Sequence, residues 1–451
     1  MPDISAIRVE TREDLVSLLY EAAELEHGLA CSYLFAAFSI KARDAEGVTA
    51  EQADTLERWR SVVKDVALEE MLHLALVSNL LTALGAAPHL RRPPFPQTSP
   101  YYPEGVTIEL LAFNETSLTR FIDLERPEGI DAELVDAEPV DAEPSGAAAV
   151  ANHDEDRADT PVAAPGALVS PDELADTAAP VELSTVGDLY HAIDEAFCAL
   201  VAAKGEDLVF IGPAAAQATA DYFELHELAP VTGLASARQA LQILVEQGEG
   251  VRGDWSQAHY GKFREVRDEL RALRQTDPGF APAWPVLRNP LVNEPANGTG
   301  GQVVTDVVTT AVMALTNGSY GLMTAMLLRF FAHTDESDAQ LRILAAACAA
   351  LMSQVINPLG VLLATLPAGP GHGIATGGAS FEFHRSVTLA PHRRAAWMVF
   401  HERLLELATF ARQLMTDTKS SVLSDVGGSL ETIGSRIAAG MNAELVVSGE
   451  T

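Results

Sequence analysis

Cysteine is nearly missing from this chain: three residues in 451, namely Cys31, Cys198 and Cys348. All three sit in apolar helical contexts and none has a CxxC spacing. They read as small buried hydrophobes of a reducing compartment. Basic residues are scarce too, 30 Lys and Arg against 63 Asp and Glu, for a net charge of −33. Such a chain repels phosphate backbones, which argues against nucleic acid as a partner. The start, Met1-Pro2-Asp3-Ile4, lacks the basic-then-apolar pattern of a secretion signal, so the expected location is cytoplasmic. An uninterrupted apolar run of membrane-spanning length is also missing. The longest stretch, Ile343 to Leu366, is broken by Gln354, Asn357 and Pro358 and flanked by Arg342. It reads as a core helix that breaks before Pro358, and no membrane is expected as a partner.

What is present is apolar sequence in helical periods: 48% of residues are hydrophobic, ample for a sizeable core. The pattern predicts an all-α chain. Helix 1 is expected over 15–41 behind a Thr11 cap, and helix 2 over 50–84, closed by Gly85. A proline-rich basic loop (88–103), an extended piece (106–113) and a short helix (117–123) follow. Further helices are expected over 189–204, 233–247, 256–274, 303–331 and 341–366. A final helix runs from Pro391 to Met415, with little structure after Gly440. One segment differs in kind. Between Glu128 and Glu182 there are 15 acidic residues, one basic (Arg157) and no aromatics. Val135-Asp136-Ala137-Glu138-Pro139 repeats in tandem as Val140-Asp141-Ala142-Glu143-Pro144. Such a segment cannot bury enough surface to offset its chain entropy. It is expected to be a disordered insertion in a loop rather than a domain boundary.

The chemistry concentrates in Val66-Ala67-Leu68-Glu69-Glu70-Met71-Leu72-His73-Leu74. Glu70 and His73, three apart, share one face of a helix whose neighbours are apolar. A buried carboxylate and imidazole are costly unless paired or bound to a metal. Glu69 competes with Glu70 for the role. Glu26 lies among Leu19, Ala22, Leu29 and Tyr33 on helix 1. Glu246 and Glu249 close the 233–247 helix at a glycine-rich end, where the helix dipole disfavours negative charge and a metal ion or simple exposure would relieve it. His259 opens the next helix. A dimetal carboxylate site draws ligands from several helices, and these residues are its candidates.

Four stretches carry a resemblance. They are Glu24-Leu25-Glu26-His27-Gly28-Leu29-Ala30-Cys31-Ser32-Tyr33-Leu34, Glu69-Glu70-Met71-Leu72-His73, Phe121-Ile122-Asp123-Leu124-Glu125-Arg126-Pro127-Glu128 and Glu246-Gln247-Gly248-Glu249-Gly250. Together they resemble the ferritin-like family and, within it, the iminophenylpyruvate dimer synthase domain of violacein and indolocarbazole biosynthesis. The resemblance implies a ferritin-like helical bundle over 1–127 and 183–275, interrupted by the 128–182 insertion. Residues 276–440 form a helical extension packed on the bundle, and 441–451 a tail. It implies metal ligands Glu26, Glu70, His73 and Glu246, with His259 added from the residues themselves. The chain departs from a symmetric ferritin-like pattern, because no second Glu-x-x-His follows the 233–247 helix. The implied cofactor is iron, in a dinuclear arrangement, with haem as an additional group found in some members. His372, His384, His392 and His401 are haem candidates, or ordinary surface and core histidines. The implied function is oxidative chemistry on an amino-acid-derived small molecule in secondary metabolism, in a chain compatible with homo-oligomers. The same ligands would serve a metal-storing protein, and a degenerate site would leave a structural partner; these alternatives stay open.

Overall fold

The structure is a computed structural model describing residues 9–42, 47–99, 101–102, 106–130, 185–250, 255–294, 300–332, 335–383 and 388–447. Residues 131–182 of the expected acidic insertion lie outside the described residues. Two capped helices begin the fold, α1 (Arg12–Ser39) and α2 (Ala50–Ala83). Each starts on a capping box, Thr11 with Asp14 and Thr49 with Gln52, which satisfies two of the free N–H groups of the first turn. They pair antiparallel: Arg12 at the start of α1 donates to Leu84 O, at the end of α2, at 2.7 Å. In the 106–113 stretch Ile108 is bridged to Gln97 and Leu110 O accepts the Asn289 N–H at 3.0 Å; the stretch leads into α3 (Glu115–Leu124).

Two further helices close the bundle around α1 and α2. They are α4 (Val186–Lys204) and α5 (Leu234–Gly248), and α6 (His259–Thr276) lies against α3. Tyr33 of α1 packs edge to face on Phe121 of α3 and Phe263 of α6, and those two rings meet at a tilt, with centroids 4.6–5.2 Å apart. Such contacts lock three helices by shape as well as by area.

The remaining chain is mainly helical, with non-helical stretches at 277–294 and 364–383. A short parallel pair joins β1 (Pro290–Leu291) to β2 (Gln302–Val303), with Pro290 opposite Gln302. Then come α7 (Val307–Ala332), α8 (Asp338–Leu351) and α9 (Asn357–Leu363). The expected break before Pro358 does not occur. Residues Met352–Ile356 form a π-turn between α8 and α9, and Pro358 sits in the first turn of α9. A proline lacks the N–H that helix interiors use, and the first turn is where it is tolerated. A Cβ on Gly360 would lie 2.2 Å from the Phe38 ring, so glycine is what lets α9 approach α1. By length and composition, α2, α7 and the α8–α9 rod could cross a membrane; 78%, 67% and 50% of their apolar windows are buried inside the fold.

The chain ends in a hairpin of α10 (Arg393–Thr418) and α11 (Ser421–Val447), turned by Lys419 at φ 55°. Helix α11 is not among the expected helices, and it continues past Gly440 to Val447. Its glycines hide it in the sequence, since glycine is a poor helix former. One of them serves packing. A Cβ at Gly440 would come within 2.7 Å of the Trp397 ring.

Candidate metal centre

Helix α1 presents Glu26 inward, with only 2% of its surface exposed. Across from it, α2 presents Glu70 and His73, equally buried. His73 Nδ1 lies 3.0 Å from Glu70 Oε2 and 3.2 Å from Glu26 Oε2. A second group shares Glu70: its Oε1 is 2.9 Å from His259 Nδ1, which is 3.5 Å from Glu125 Oε2. Glu26, Glu70 and His73 form one set whose ligand atoms all lie within 4.8 Å of one another, and Glu70, Glu125 and His259 form the other. All five residues are buried, and the two imidazole rings lie 5.5 Å apart.

Groups around the five hold them in place. The Tyr190 hydroxyl of α4 donates to Glu26 and that of Tyr33 to Glu125. His73 Nε2 lies 2.9 Å from Gln247 Oε1 of α5. His259 Nε2 lies 2.8 Å from Glu69 Oε2, which Lys262 also engages at 2.7 Å. Each imidazole therefore turns Nδ1 inward and has Nε2 engaged outside. Outer partners of this kind fix ring orientation and tautomer. The competition between Glu69 and Glu70 is resolved by their helical positions, about 100° apart: Glu70 faces the centre and Glu69 backs it.

The electrostatics reflect crowding of like charges in a dry site. Burial, aided by the Glu70 carboxylate, pushes the Glu26 carboxyl up to about 7. Burial works against charge on His73, but Glu70 and Glu26 prevail and hold its imidazolium up at about 10. Burial and Glu125 oppose ionisation of Glu70, yet His259 and His73 bring it below the usual carboxylate range. Burial also opposes ionisation of Glu69, whose bonds to His259 and Lys262 lower it to about 2.

The donor set fits a metal on one specific observation. Glu70 Oε1 and His259 Nδ1 are both buried and both without a hydrogen-bond partner, although they are 2.9 Å apart. Their close approach is not aligned as a hydrogen bond. Two buried donor atoms that converge without pairing are what ligands of a shared ion look like. Carboxylate and imidazole together suit iron or manganese.

Not every expected residue arrives here. Glu246 is exposed and accepts a hydrogen bond from Gln242 at 2.6 Å. The buried face of α5 carries Ala237, Ala240, Leu241, Leu244 and Gly248. Glu246, two residues past Leu244, points away from that face, while Gln247, three past, reaches the centre. In place of Glu246 stands Glu125, at the C-cap of α3. Periodicity and spacing pass over Glu125, which has no Glu-x-x-His partner in sequence; its only signal is its place in one of the four stretches that carry the resemblance. Glu249 is buried, but neither of its expected reliefs applies. It accepts the Gly187 N–H at 2.8 Å, in the first turn of α4, so a second helix's N-terminus receives the charge. His372 and His401 bond to the carbonyls of Val303 and Gly434, and His392 is exposed. His384 lies outside the described residues.

Comparison with known proteins bears on the family. A family model described as ferritin-like matches residues 19–268, more than half the chain, and the chain belongs to the ferritin-like family. It is 28% identical over 438 residues to the dichlorochromopyrrolate synthase of Lentzea aerocolonigenes, covering 90% of this chain and 40% of that one. It is 29% identical over 398 residues to the 2-imino-3-(indol-3-yl)propanoate dimerase of Chromobacterium violaceum, covering 82% of this chain and 34% of that one. The chain thus spans well under half the length of these relatives. A solved ferritin-like protein from Caulobacter vibrioides covers 79% of this chain and 95% of its own, with a TM-score of 0.45 and 15% identity.

Proposed function

We propose that this chain is a metal-dependent oxidative enzyme that binds two iron ions and acts on an amino-acid-derived small molecule in secondary metabolism. The observation that carries the reading is the pair of three-ligand groups sharing Glu70. Glu26 and His73 would complete one ion's set, and Glu125 and His259 the other's. Iron at such a centre supplies activation of O₂ and one-electron chemistry. The chain's own contributions are visible in its residues. Glu70 spans both positions, and Tyr190 and Tyr33 orient the two outer carboxylates. The Tyr33, Phe121 and Phe263 rings pack beside Glu125 and keep water from that side. Oxidation of an indole-containing imino acid, or coupling of two of them, is the reaction class that the two named relatives support.

Elemental analysis and an absorption spectrum of protein purified without added metal test this. About two irons per chain without a Soret band, as bundle dimetal sites hold, support the reading. A Soret band shifts the assignment to haem chemistry. Iron without O₂ consumption in the presence of indolic imino acids leaves a metal-storing protein. No metal, even after iron is supplied, leaves a structural partner with a degenerate site.

A further inference from the structure

A neighbouring face of α1 holds a second buried polar cluster, of opposite character. His27 and Cys31, four residues apart, share a face of α1 turned about 100° from that of Glu26. His27 Nε2 lies 2.6 Å from the Tyr320 hydroxyl of α7, which is 3.7 Å from Cys31 Sγ. Beside them is the guanidinium of Arg92, only 8% exposed. Among the described residues it has no carboxylate partner. Two of its five N–H groups donate to main-chain carbonyls, Pro93 O at 2.9 Å and Phe381 O at 2.5 Å. Its Nε–H has no acceptor. Aromatic rings surround the charge: Phe95 at 4.0 Å, Phe383 at 5.8 Å and Tyr320 at 6.0 Å.

A buried cation without a counter-ion is expensive, and ring faces offset only part of that cost. Other buried arginines in this protein are treated differently. Arg329, with no exposed side-chain surface, is paired with both Glu336 and Asp335. Arg92, by contrast, has no carboxylate partner among the described residues. The planar fork of a guanidinium matches a carboxylate in two parallel hydrogen bonds. The free Nε–H and a remaining terminal N–H offer that match within aromatic walls, and the Tyr320 hydroxyl, engaged with His27 Nε2 at 2.6 Å, would turn from His27 to the incoming carboxylate.

We propose that Arg92 and Tyr320, framed by Phe95 and Phe383, form a binding site for the carboxylate of an aromatic small acid. As the anchor of the substrate's carboxylate it rests on the oxidative reading above; as an anion site it does not. Indole-3-propionate is an unreactive probe that carries both chemical features, and indole-3-propionamide lacks only the charge. Calorimetric titration of the full chain, with metal content read on the same preparation, is the test. The acid should bind at least about tenfold more tightly than the amide, the factor expected for one charge-assisted hydrogen bond. Arg92→Lys keeps the charge but loses the fork, and should weaken the acid by about tenfold while leaving the amide unchanged. Tyr320→Phe keeps the ring and should cost the acid a smaller, severalfold loss, which covers the case in which Arg92→Lys fails to fold. Equal binding of acid and amide, no binding of either, or an Arg92→Lys protein that binds like the parent would each overturn the proposal. Metal present with no acid binding sinks this site and leaves the metal reading intact; acid binding without metal does the reverse.

Discussion

The two faces of α1 solve the problem of buried charge in opposite ways. On the Glu26 face, three carboxylates and two imidazoles crowd together with no lysine or arginine among them; Lys262 reaches only Glu69, behind the centre. On the His27 face, a guanidinium is buried with no carboxylate partner among the described residues. Glu109 shows what a self-sufficient arrangement looks like: it is buried too, but Arg288 Nε donates to it at 2.8 Å and Arg120 meets it at 2.5 Å. A buried charge that the chain neutralises itself is structural. Charges left in excess, negative on one face and positive on the other, point to ligands of the opposite sign. If that contrast holds, the two faces must respond differently to substitution, pH and metal.

The largest effect should come from Glu70→Ala. Glu70 belongs to both three-ligand groups, so its loss should abolish metal uptake at both positions and not at one. Elemental analysis after iron loading reads this directly; retention of two ions would mean that the shared carboxylate is not a ligand. Binding of indole-3-propionate on the other face should survive the substitution, which sharpens the contrast between the faces.

Acid should weaken the first face next most strongly. A histidine binds metal through its neutral form. In the metal-free protein the carboxylates hold the His73 imidazolium up at about 10, so at neutral pH an incoming ion must displace its proton. The sign follows: affinity rises with pH below about 10, by about tenfold per unit for each proton displaced. Titration with Mn²⁺ between pH 6 and 8 measures it, and a flat profile would remove His73 from the ligand set.

Much of this first face is legible in the order of residues alone. Glu70, His73 and Glu26 stand in long apolar helical runs, where spacing of three and a common face follow from helix geometry. The bundle and most of its helices follow from the same periodicity. What the sequence hides or misdirects has a different cause. Glu125 sits at a helix C-cap and His259 opens a new helix, so their meeting depends on how α3 and α6 pack, which no local period encodes. Glu246 attracts attention because a carboxylate at a glycine-rich helix end looks uncompensated, yet its position on α5 points it outward. Arg92 reads only as part of a basic loop, because its burial depends on Phe381 and Tyr320, more than 200 residues away. Helix α11 is masked by its four glycines, of which Gly440 is required by packing against Trp397.

A smaller effect is expected from Tyr190→Phe. The phenol of Tyr190 donates to Glu26 and orients it, but touches no ligand position itself. Removing an outer partner of this type typically costs about 10–100-fold in metal affinity. The variant should therefore bind metal with full stoichiometry and reduced affinity, a split that Glu70→Ala cannot give. Competition with a chelator of known affinity separates the two, and an unchanged affinity would make Tyr190 a packing residue only.

The smallest effect tests a buried charge that has a partner but no cation. Burial pushes the Glu249 carboxyl up to about 7, even though the Gly187 and Glu128 N–H groups pull it down. A carboxyl raised in the folded state contributes stability that is complete below its unfolded value of 4.5 and is lost as pH rises through about 7. Glu249→Gln keeps an acceptor for the Gly187 N–H and cannot ionise. The variant should match the parent near pH 4.5 and be more stable by about 2 kcal/mol at pH 8, a value set below the full shift because the site is not completely dry. Denaturant unfolding of metal-free protein at the two pH values measures the difference. Equal stability at pH 8 would mean that the first turn of α4 fully offsets the buried negative charge. A helix N-terminus would then do for Glu249 what the Glu26 face requires a metal to do, and the excess of carboxylate there would be weaker evidence for a ligand.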